Sequence, residues 1–116
     1  MKIASCIFFV PLLFAAVTVE AQKCNGIDAT IFGTAGDDDI TGTNGPDIIV
    51  GLGGDDSIEG LDGDDVICGG DGNDDLLGGN GDDLLFGNAG NDVIEGNAGN
   101  DTCDGVSGID SAALDC

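Results

Sequence analysis

GLGGDDSIE (residues 51–59), GLDGDDVIC (60–68), GGDGNDDLL (69–77) and GGNGDDLLF (78–86) follow one another without a gap. Each nonapeptide has Gly at positions 1 and 4, Asp at position 6 and Ile or Leu at position 8. The register extends in both directions. GTAGDDDIT (33–41) and GTNGPDIIV (42–50) come before, and GNAGNDVIE (87–95), GNAGNDTCD (96–104) and a weaker GVSGIDSAA (105–113) come after. All nine units keep Gly at positions 1 and 4 and Asp at position 6, from Asp38 to Asp110. Position 8 is Ile or Leu in seven units, then Cys103 and Ala112. A nonapeptide cannot bury its own apolar face, so this period means near-identical units stacked on one another. One unit further back, CNGIDATIF (24–32) puts Ile31 at position 8 but has no Asp at position 6. It reads as a capping unit, since the ends of a stacked array need atypical repeats.

The chain has 116 residues, room for one domain. Lys2, the apolar run from Ile7 to Val17, and Val19-Glu20-Ala21 ahead of Gln22 have the layout of a secretory leader cleaved near Ala21. The run is short for a membrane span. Neither Cys6 nor Cys24 lies in the small-residue pattern of a lipid-anchored precursor, so export and release as a soluble, extracellular protein is the expectation. The expected organisation is a leader at 1–21, an N-terminal cap at 22–32, repeats at 33–104, and a degenerate repeat with a C-terminal cap at 105–116. Cleavage removes Lys2 and Glu20, one charge of each sign, so the formal net charge stays at −21 with Lys23 as the only basic side chain. Nucleic acid and anionic membranes are poor partners for such a surface, and neither nucleic-acid binding nor a membrane span is expected. Composition alone describes an acidic disordered segment. The fixed spacing of aliphatic residues with aspartates argues for order instead.

The pattern resembles the RTX, or haemolysin-type, calcium-binding nonapeptide G-G-x-G-x-D-x-U-x. The resemblance covers nearly all of the chain beyond the leader. It departs at position 2, where only Gly70 and Gly79 keep the family glycine and Thr, Leu, Asn and Val stand elsewhere. It implies an all-β fold, a right-handed parallel β-roll with two nonapeptides per turn, so that repeats i and i+2 stack on the same side. Calcium is then expected between Asp38 and Asp56, Asp47 and Asp65, Asp56 and Asp74, Asp65 and Asp83, Asp74 and Asp92, Asp83 and Asp101, and Asp92 and Asp110. That makes up to about seven ions. The resemblance also implies that backbone carbonyls from positions 1 to 4 complete each shell, near Gly36, Gly45, Gly54, Gly63, Gly72, Gly81, Gly90 and Gly99.

The residue chemistry agrees. Glycines at positions 1 and 4 are expected to adopt backbone angles closed to other residues, curling the loop so that carbonyls face inward. Carbonyl and carboxylate oxygens suit calcium, which accepts six to eight such ligands in flexible geometry. Zinc would want His or thiolate, and the chain has no His. Positions 7 to 9 are expected to form a short strand, with position 8 facing in and positions 7 and 9 facing out. A core one side chain wide cannot by itself offset the entropy of ordering glycine-rich loops. Folding and calcium binding are therefore expected to be one event.

Beyond the leader stand Cys24, Cys68, Cys103 and Cys116, an even number that in an exported chain points to two disulfides, with three pairings open. A Cys103–Cys116 bond would fold the tail over the open end, leaving Cys24 to tie the capping unit to Cys68 in the fourth repeat. One outer face should be mostly polar (Asp39, Thr41, Ser57, Glu59, Asp75, Leu77, Val93, Glu95). The other should show an apolar strip of Phe32, Ile48, Val50, Val66, Cys68, Leu84 and Phe86, a candidate surface for self-association or a protein partner unless the N-terminal segment covers it.

Three classes of function compete. A calcium-dependent extracellular structural or interaction module fits best. Catalysis is not expected, because no His is present for a Ser-His-Asp triad and no second domain is present to build a cleft. An ice-binding or surface-adhesive solenoid is the alternative, but Thr41 and Thr102 stand alone on the outer faces rather than in rows.

Overall fold

The structure is a computed structural model that describes residues 23–108, 111, 112 and 116. The expected leader and Asp110 lie outside the described residues. A short antiparallel hairpin pairs β1 (Lys23–Cys24) with β2 (Ile27–Asp28). Every later strand is parallel to its neighbours. One sheet has the order β11 (Thr102–Asp104), β9 (Leu84–Ala89), β7 (Val66–Asp71), β5 (Ile48–Gly53), β3 (Ile31–Phe32). The other has the order β12 (Ser111–Ala112), β10 (Val93–Ala98), β8 (Asp75–Asn80), β6 (Ser57–Asp62), β4 (Asp39–Thr41).

Successive strands alternate between the sheets, so one turn is two nonapeptides and residue i pairs with residue i+18. Ile31 pairs with Ile49, Ile49 with Ile67, Ile67 with Leu85 and Leu85 with Cys103. The opposite sheet runs Ile40, Ile58, Leu76, Ile94. This is the β-roll expected from the repeat. Ile49, Ile58, Ile67, Leu76, Leu85 and Ile94 form a single file of fully buried side chains, flanked by partly buried Ile31, Ile40 and Cys103.

The central strands are longer than the three residues expected. The central ones, β5 to β10, run six residues, from position 7 of one unit through position 3 of the next, as in Ser57–Asp62. The reason is the period-2 alternation of an extended chain. Positions 6, 8 and 1 all face inward in turn, so Asp56, Ile58 and Gly60 are buried while Ser57 is exposed. The short expected strand missed this continuation because glycine carries no side chain to register the pattern.

The apolar strip is only partly open. The hairpin folds onto the outer face of the β5–β7 sheet, where the Cys24–Cys68 disulfide holds it. Val50 and Cys68 are buried with Cys24, and Ile48, Val66 and Phe86 are half-buried around them. Val50 is thus not an exposed residue, since covering by the N-terminal segment removes the centre of the strip. Phe32 stays exposed beyond it. The second disulfide joins Cys103 to Cys116. Among the described residues no helix is long and apolar enough to cross a membrane.

Candidate metal centre

Loops between the sheets stack directly on the loops one turn away. Two side-chain ladders stitch them together and run in opposite directions. At position 5, Asp37 accepts the Asp55 N–H (2.8 Å), Asp55 accepts Asn73 N–H (2.9 Å) and Asn73 accepts Asn91 N–H (2.9 Å). At position 6, Asp56 Oδ1 accepts the Asp38 N–H of the preceding turn (2.8 Å), and Asp65, Asp74, Asp83, Asp92 and Asp101 repeat the bond from Asp47, Asp56, Asp65, Asp74 and Asp83.

That ladder uses one oxygen of each position-6 carboxylate. The other, Oδ2 of Asp56, Asp65, Asp74, Asp83 and Asp101, is buried and has no hydrogen-bond partner. Asp92 is buried in the same register. A buried carboxylate oxygen left without a donor is costly, and such groups in native proteins call for an ion or another compensating partner. Burial accordingly raises Asp65 and Asp74 to about 6, opposed by the backbone N–H that each accepts and reinforced by neighbouring carboxylates. Asp56 and Asp83 shift the same way for the same leading reason.

The glycines at position 1 explain where these oxygens point. None of the position-1 glycines in the sheets has a positive φ, contrary to expectation. They are required for space. A Cβ on Gly60 would lie 2.5 Å from the Gly78 carbonyl oxygen and clash with Asp65 Oδ2. On Gly42 it would lie 2.6 Å from Gly60 O and 2.8 Å from Asp47 Oδ2. A carboxylate oxygen and the position-1 carbonyl of the next turn therefore converge over each of these glycines. Left-handed backbone instead falls at position 4, in Gly54 through Gly108, and at position 2, in Leu52 (φ 84°), Leu61, Gly70, Gly79, Asn88, Asn97 and Val106. That is the backbone reason for the family glycine at position 2, and Asn is the next-best substitute.

These residues fit calcium by an independent argument. Among the described residues no three His, Cys, Asp or Glu side chains gather into a side-chain cage. A cation here must draw on one or two carboxylates and on main-chain carbonyls, a hard all-oxygen set suited to calcium. Gly54 O and Gly63 O lie where a Cβ on Gly72 and Gly81 would stand. Position-1 carbonyls of Gly69, Gly78 and Gly96 share the space over Gly51, Gly60 and Gly78 with Oδ2 of Asp56, Asp65 and Asp83. Asp38 and Asp47 occupy the same register, but Thr34 and Thr43 hydrogen-bond to them.

A parallel roll whose loops turn buried carboxylate oxygens toward main-chain carbonyls defines a class, the β-roll. The family model for the RTX calcium-binding nonapeptide repeat (4 copies) matches residues 26–45, 41–76 and 77–112, and the chain belongs to that family. Searches of the curated proteins and of the solved structures found no match to this chain.

Proposed function

We propose that this chain is a secreted calcium-binding protein, a non-catalytic structural or interaction module whose roll forms as calcium fills its loops outside the cell. The observation that carries the reading is the row of buried Oδ2 atoms facing position-1 carbonyls. Asp56, Asp65, Asp74, Asp83, Asp92 and Asp101 supply the charged ligands, and Gly69, Gly78 and Gly96 are among those supplying carbonyls. When bound, each ion provides the positive charge that lets these carboxylates stay ionised in a desolvated setting. The leader-like segment at 1–21 and the two disulfides support export, because disulfides persist in oxidising compartments. Extracellular calcium suffices for modules with modest affinity, on the order of 10⁻⁴–10⁻³ M.

Equilibrium dialysis of the oxidised chain against calcium with excess magnesium tests the reading. Several calcium ions should bind per chain, and Asp74→Asn should bind fewer. No calcium bound in the presence of magnesium would defeat it.

A further inference from the structure

The first two loops are built differently from the rest. Thr34 donates its N–H to Asp38 Oδ2 at 2.6 Å, and its hydroxyl lies 3.0 Å from the same oxygen while accepting the Gly36 N–H at 3.1 Å. Thr43 repeats this at Asp47, with N–H to Oδ2 at 2.6 Å, hydroxyl to Oδ2 at 3.0 Å, and Gly45 N–H to the hydroxyl at 3.2 Å. From Leu52 onward every position 2 has a positive φ, as does every position 4 from Gly54 onward, whereas Thr34, Gly36, Thr43 and Gly45 do not. The loops at Asp38 and Asp47 therefore curl another way, and both of their Oδ2 atoms are satisfied where those of Asp56, Asp65, Asp74, Asp83 and Asp101 are orphaned.

We propose that Thr34 and Thr43 take the place of calcium in the first two loops, so that ion binding begins at the loop of Asp56. This rests on the calcium reading of the later loops. An N–H and an O–H aimed at the same carboxylate oxygen put their positive ends where a cation would have to sit. They compensate the buried charge and at the same time repel an ion. A threonine hydroxyl is suited to this, since it bonds its own loop two residues on and its carboxylate four residues on. The consequence is a metal-independent end to the roll. The two loops nearest the N-terminus are self-satisfied, and the calcium loops stack against them.

Counting ions tests the assignment. Native mass spectrometry of the oxidised chain at saturating calcium, with excess magnesium, should show two more ions for T34G/T43G than for the wild type and one more for each single glycine variant. T34S/T43S, which keeps the hydroxyls, should show the wild-type count. D38N/D47N should also leave the count unchanged, whereas D74N lowers it. Equal counts for the wild type and T34G/T43G, or a lower count for D38N/D47N, would overturn the assignment. A wild-type chain with no bound calcium would instead refute the calcium reading beneath it.

Discussion

Asp56, Asp65, Asp74, Asp83 and Asp101 each use two oxygens in two ways. Oδ1 fastens the backbone of the preceding turn, and Oδ2 lies buried in the interior without a hydrogen-bond donor. The sign of the pH dependence follows. Asp65 and Asp74 titrate near 6 in the fold, above the roughly 3.9 of an unfolded aspartate. Their contribution to the metal-free fold is present in full below about pH 4 and is lost as pH rises through 6. Calcium binding requires the ionised form and so works in the opposite sense. The metal-free chain should gain β-structure between pH 7 and pH 4.5, while the calcium midpoint should move to higher concentration between pH 7 and pH 5. Circular dichroism at fixed ionic strength measures both. The position-6 aspartates stood out directly in the sequence because one residue type recurs at one position. The left-handed backbone at position 2 was not, because Leu52 and Leu61 stand where glycine would have announced it. The different role of Thr34 and Thr43 did have a signal, as threonine holds position 2 only in those two units.

At the scale of elements, the six-residue strands and the docked hairpin matter most. Strand pairing at i+18 was implied by the family resemblance, which puts two nonapeptides in each turn and so keeps Ile49, Ile67 and Leu85 in one file. The hairpin's resting place did not follow, because it lies outside the periodic pattern and is decided by Cys24 meeting Cys68 over Val50. The Cys24–Cys68 bond spans 44 residues and Cys103–Cys116 spans 13. Chain-entropy scaling assigns about 4 kcal/mol to the first and about 3 kcal/mol to the second. C24S/C68S should therefore lower the urea midpoint in saturating calcium more than C103S/C116S does. It should also raise the binding of an apolar fluorescent dye as Val50 is uncovered. A C24S/C68S variant with unchanged stability and no added dye binding would show that the hairpin docks without help from the bond.

Across the whole molecule, charge and geometry oppose each other unless metal is present. A chain of formal charge −21 forms a roll whose continuous core is one residue wide, and Asp47, Asp56, Asp65, Asp74, Asp83 and Asp92 are buried in it. Self-repulsion and desolvation both favour the expanded chain, and under the proposed function bound calcium would relieve both at once. The most direct measurement of this claim is a calcium titration of the leader-free, oxidised chain followed by far-ultraviolet circular dichroism, with magnesium as control. The account predicts a cooperative coil-to-β transition with calcium and none with magnesium at the same concentration. A full β-spectrum in excess chelator at neutral pH, unchanged by calcium, would contradict it.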